Sequence, residues 1–249
     1  MESRLIYDGS FEGFLSAVFK VYEERLQVVA LTPEAYHQEG LFSEGIEVFT
    51  QADKAERVWK GLAKFKNFRN TIYWSFLSEI AGHELVLLRA IQYVLATGNT
   101  SDYGHADILK TEQVRKMVGR EKHRMEAFIR FQLTKDGIYF ANIEPDFNVL
   151  PLIAKHFEKR YADQHWIIYD LRRNYGLYYD LASVSSMQME FDKQAPSSEA
   201  FTESEAHYSK LWKDYFKSTT IKSRINTKLH VRHIPKRYWK YLNEKSPDL

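Results

Sequence analysis

The chain has 249 residues, enough for one large or two modest domains, and its 35 Lys and Arg against 33 Asp and Glu leave a formal charge of +2. A bulk charge this small assigns no polyanionic partner, so any such assignment has to rest on local clustering. With 0 cysteines, the chain offers no disulfide, no thiolate nucleophile and no Cys-held zinc or iron–sulfur cluster.

The opening "MESRLIYDGSFEGF" lacks the basic start and apolar run of a secretion signal, and no apolar stretch approaches the roughly 18 residues of a membrane span. A cytoplasmic protein without membrane contact is expected. "RLIY" reads as a short strand and "DGS" as a turn. From Ser10, a suitable N-cap, Phe11, Phe14, Leu15, Val18, Phe19, Tyr22 and Leu26 recur at helical spacing, with Gly13 a minor cost. "GIEVFT" reads as a second short strand, and helical patterns follow near 53–65, 69–80 and 83–96. "ATGNTSDYG" gathers turn formers and divides an N-terminal region, 1–98, from a second, 105–249.

A helix is expected from about Asp107 to Met125. In "IRFQLT", Ile129, Phe131 and Leu133 alternate with polar residues, Asp136-Gly137 suits a hairpin turn, and "IYFANI" supplies the return strand. Val149, Leu150, Ile153, Phe157 and Tyr161 mark an amphipathic helix. "HWIIYD" and "YGLYYD" flank an "RRN" turn as a second hairpin, which "SVSSMQMEF" would extend. The expected class is α+β: an antiparallel sheet built from two hairpins around a helix, with helical N- and C-terminal regions. "DKQAPSSEA" reads as a loop and the remainder as helical, Pro235 opening a last short helix.

Several segments together resemble a known family. "LIYDGSFEGFLSAVFKVYEER", "GREKHRMEAFIRF", "IEPDFNVLPLIAKHFEKRYADQHWIIYD" and "LWKDYFKSTTIKSRIN" with "HIPKRYW" occur in the order found in a bacterial family described as "probable DNA metabolism proteins", encoded beside a radical-SAM protein thought to modify or repair DNA. The likeness covers nearly the whole chain. From about residue 85 onward the chain also resembles a domain of unknown function that elsewhere is joined to a uracil-DNA-glycosylase-like domain. The resemblance implies DNA and a radical-SAM protein as partners, and it brings no catalytic residues with it.

The charge pattern agrees with a polyanionic partner at one place. From Lys217 to Lys240 there are 8 Lys or Arg and no Asp or Glu, interleaved with His, Tyr and Trp. Lys222, Arg224, Lys228, Arg232, His233, Lys236, Arg237 and Lys240 are candidate phosphate ligands. On an α-helix after Pro235, Lys236 and Lys240 would share a face, while Tyr238, Trp239 and Leu242 could simply pin that helix to the body. A second cluster holds Arg120, Arg124 and Arg130. There Glu121 could pair with Lys122 or Arg124, and Glu126 with Arg130, as ordinary helix-surface ion pairs. Arg172 and Arg173 sit at the second hairpin's tip, either touching DNA or simply solvated.

An enzyme would need acids or bases, and Asp8, Glu12 and His123 are the candidates. Asp8-Gly9-Ser10 is equally what a turn into a helix requires. Asp146, Asp170 and Asp180 fall at strand or loop ends with nothing in the sequence to unite them. "GHELVLL" lacks the second His of a metalloprotease helix, "YDGSFEGFL" lacks the lysine of a phosphate-binding loop, and His230 with His233 makes only two ligands, so neither metal nor cofactor is expected. Three readings stand: a DNA-binding accessory protein working with a radical-SAM enzyme, a glycosylase- or hydrolase-like nucleic-acid enzyme, or a protein–protein scaffold without DNA affinity.

Overall fold

The computed structural model of the chain describes residues 2–37, 45–188, 201, 202, 208, 210, 211, 231–242, 244 and 245. Two compact units divide it, Met1–Gly119 and Arg120–Leu249. The expected loop at 192–200 and the candidates Lys222, Arg224 and Lys228 lie outside the described residues.

In the first unit, β1 (Glu2–Tyr7) runs through a turn into α1 (Phe11–Glu23), and the chain returns as β2 (Gln27–Pro33). Ser10 caps α1, its hydroxyl accepting the Gly13 N–H at 2.9 Å. The inward face of α1, Phe14, Leu15, Ala17, Val18 and Val21, is buried. β3 (Ile46–Val48) pairs with β1 on the other side, giving a parallel sheet of order β2-β1-β3. β1 and β3 fall on the expected strands "RLIY" and "GIEVFT", and β2 is a third strand beyond them. "QVVALTP" shows no alternation because it runs four apolar residues together, Val28 to Leu31, and the period-2 signal fails there.

The helices α2 (Ala52–Gly61), α3 (Lys66–Phe76) and α4 (His83–Thr97) fall where the periodicity places them. Gly82 and Gly98 bracket α4 in left-handed conformations that suit glycine. The turn-rich stretch near 96–104 connects α4 to α5 (Ala106–Phe128), which runs across the division between units.

The second unit holds a five-stranded sheet, β4 (Gln132–Leu133), β5 (Tyr139–Ile143), β6 (Trp166–Asp170), β7 (Tyr175–Tyr179) and β8 (Val184–Met187), in sequence order. Both expected hairpins form. At the first, the Gly137 N–H reaches the Thr134 carbonyl at 3.0 Å with Gly137 at φ +78°, the three-residue loop that ends in a left-handed glycine. The sheet is mixed, however, and not wholly antiparallel: β5 and β6 run parallel. The reason is α6 (Leu150–Arg160), which carries the chain back over the sheet so that both strands start from the same end.

That crossover creates the site. Ile143 and Asp170 are register partners at the ends of β5 and β6, so the loop 144–149 and the turn 171–174 emerge side by side. A 3-10 helix, Lys236–Tyr241, follows Pro235. No helix among the described residues is long and apolar enough to cross a membrane.

Candidate nucleic-acid interface

Glu121, near the middle of α5, is only 1% exposed and is the hub of a polar network. A buried carboxylate has to replace its lost hydration with donors. The Asp146 N–H gives it 2.9 Å, the Tyr238 hydroxyl donates to the same Oε1, and the Arg124 and Arg237 guanidiniums approach Oε2 at 3.3 and 3.7 Å. Two guanidiniums therefore stand beside one carboxylate oxygen.

The loop that offers the Asp146 N–H is held at its carbonyls as well. Arg172 donates to the Asp146 carbonyl at 3.2 Å, and Arg173 to those of Pro145 and Asp146 at 3.1 and 3.3 Å. Arg173 is in turn fixed by Asp170, a fully buried carboxylate 2.8 Å away that also accepts the Arg172 and Arg173 N–H groups. Burial pushes the Asp170 carboxyl above its ordinary range against the pull of these donors. Farther along, the Tyr175 hydroxyl donates to the Asn148 side chain.

The terminal 3-10 helix closes the network, and its period decides how. Three residues per turn align 237 with 240, 238 with 241, and 236 with 239. Arg237 meets Asp146, and Lys240 meets Glu144 at 2.6 Å. Tyr238 is 2% exposed, and Tyr241 stands beside Glu144. Burial, then the neighbouring carboxylates, pushes both tyrosine hydroxyls up. Burial alone would raise Glu144 too, but Lys240, Tyr241 and Arg172 hold it below the usual carboxylate range. Lys236 lies 6.0 Å from the Trp239 ring, on the remaining ridge. The expected sharing of a face by Lys236 and Lys240 assumed an α-helical period and does not hold.

A family model described as a domain of unknown function, DUF4130, matches residues 81–244. The chain belongs to the DUF4130 family. No curated protein and no solved structure matches it. The DUF4130 match begins close to the expected residue 85 and takes in every network residue from Glu121 to Tyr241.

Within the DUF4130 region the candidates divide into two groups. Arg124, Arg173, Arg237 and Lys240 are ion-paired in the network, and Arg130 pairs with Glu244 at 2.9 Å. Arg130 lies past the end of α5 and so cannot keep a spacing-of-four contact; Glu126 pairs with Lys122 instead. Arg172 donates to the Asp146 carbonyl and acts on Glu144, so it is exposed but not merely solvated. Arg120, His123, Arg232, His233 and Lys236 are exposed, with no carboxylate partner among the described residues. The run that is free of acids in sequence is thus not free of them in space. Its arginine and lysine meet carboxylates 91 and 96 residues earlier.

The acidic candidates fall in different units. Asp8 belongs to the first, where the Ser10 N–H, the Ser10 hydroxyl and the Thr50 hydroxyl donate to it at 2.9, 2.7 and 2.7 Å. Burial would raise Asp8, but these three bonds outweigh it and hold the carboxyl low. This is the turn reading, extended by a contact to Thr50. Glu12 is exposed at the start of α1, and His123 is exposed on α5 in the second unit. Among the described residues, no three His, Asp or Glu side chains are grouped to hold a metal ion. Glu121 and Glu144 went unremarked as site residues, although "GREKHRMEAFIRF" and "IEPDFN" contain both.

Proposed function

We propose that this chain is a cytoplasmic nucleic-acid-binding accessory protein in DNA repair or modification, working beside a radical-SAM enzyme that holds the iron–sulfur cluster this cysteine-free chain lacks the ligands to hold. One observation carries the reading. Cations from three separated segments, Arg124 on α5, Arg172 on the β6–β7 turn and Arg237 with Lys240 on the 3-10 helix, are fixed around a single loop. Arg237 and Lys240 keep 42% and 58% of their side-chain exposure there, and unpaired Lys236 neighbours them in sequence. A rigid set of guanidiniums and ammoniums is what a phosphate backbone requires.

The ion pairs set the expected strength. With Arg120, Arg172, Arg232 and Lys236 as candidate cations for which the described residues show no direct ion pair, about four phosphates are neutralised. The logarithm of duplex affinity should then fall against the logarithm of salt with a slope of roughly −3 to −4. Fluorescence anisotropy with labelled duplexes, from roughly 50 to 200 mM salt, measures it. The double variant Arg232→Glu, Lys236→Glu should weaken binding to unrelated sequences alike. Undiminished binding by that variant would reject the assignment.

A further inference from the structure

The loop 144–148 is held in a way that separates its backbone from its carboxylate. The main chain at Pro145 and Asp146 is fixed by Glu121, Arg172 and Arg173, without any use of the Asp146 side chain. That side chain, 43% exposed, reaches out to the 42%-exposed Arg237. Arg237 stands between the two carboxylates of Asp146 and Glu121, Arg124 is on Glu121 as well, and Arg172 holds the Asp146 carbonyl while also acting on Glu144. Of the two acids, only Asp146 is open to solvent. A half-exposed ion pair of this kind is weak, whereas a phosphate oxygen pair matches the guanidinium fork.

We infer that the Asp146 carboxylate occupies the seat of a nucleic-acid phosphodiester, which displaces it from Arg237 on binding. The inference rests on the DNA-binding reading above and names where on that surface one phosphate is held. Asp146 then acts as an internal competitor. Removing its charge frees Arg237 while the backbone contacts keep the loop in place.

The test is Asp146→Asn, nearly isosteric and retaining the N–H that Glu121 needs, in the full chain with a labelled duplex. Asp163→Asn is the control. Asp163 is exposed before β6, and the register of β5 with β6 puts it at the opposite end of the strands, about 15 Å or more away and beyond the screening length. The expected result is about fivefold tighter binding for Asp146→Asn and less than twofold for Asp163→Asn. In an Arg237→Ala background the gain should vanish. If Asp146→Asn gains no more than the control while the native chain binds, or if its gain survives Arg237→Ala, the seat is refuted and the DNA-binding reading stands. If no variant and not the native chain binds duplex, both are overturned. Binding by Asp146→Asn alone would support the seat in its strongest form.

Discussion

Tyr238 donates its hydroxyl to a carboxylate that has almost no water to turn to. Glu121 is 1% exposed, and loss of that donor leaves an ionised oxygen short of a hydrogen bond. Tyr238→Phe should lower stability by about 2 kcal/mol, read from urea unfolding midpoints. His83, in the first unit, presents the opposite problem. It is 4% exposed, with Nε2 2.7 Å from the Ser75 hydroxyl, which also lies 3.2 Å from the Thr111 carbonyl. A neutral ring can donate to that hydroxyl or accept from it, according to which nitrogen carries the proton. Burial, reinforced by the charge of Lys110, lowers His83 from 6.5 to about 4. Between those values the unfolded chain binds the proton and the folded chain does not, so acidification favours unfolding. The contribution is complete above pH 6.5 and is lost as the pH falls towards 4, to the extent of about 3 kcal/mol. His83→Gln should flatten this part of the pH dependence when urea unfolding is compared at neutral and mildly acidic pH.

Helix α1 shows how a neighbour reverses a propensity. In isolation Gly13→Ala would strengthen a helix by about 1 kcal/mol. Here a Cβ at residue 13 would lie 2.1 Å from the Asp8 Oδ1 and 2.9 Å from the Thr50 hydroxyl. The substitution has to expel the carboxylate that orders the turn into α1. Gly13→Ala is therefore expected to destabilise by about 1–3 kcal/mol, measured as a fall in the thermal midpoint. The 3-10 helix makes a related point about phase. Its three-residue turn points Arg237 and Lys240 to the acidic loop and leaves Lys236 beside Trp239. One residue per two turns separates that arrangement from an α-helical one, and the lysine partners change with it.

Across the molecule, what could be read in advance was local. Ser10 as a cap, Asp136-Gly137 as a hairpin turn and the apolar spacing of α4 and α6 are signals contained within a few residues, and each element formed. β2 escaped because "QVVALTP" runs four apolar residues together, Val28 to Leu31, and so has no alternation to detect. The parallel pairing of β5 with β6 escaped because two well-marked hairpins say nothing about how they join. Segregated charge was legible; its neutralisation was not, since no periodicity links Arg237 to Asp146 or Tyr238 to Glu121 over separations of 91 and 117 residues. The same segments that made the family resemblance, around Glu121, Glu144 and Arg237, are those that interlock.

Those long separations also order events during synthesis. At about 5–20 residues per second, Tyr238 leaves the ribosome on the order of ten seconds after Glu121, whose carboxylate it eventually covers. Through that interval the acid has to remain hydrated, and the surrounding stretch of nascent helix stays open to whatever else is present in the cell.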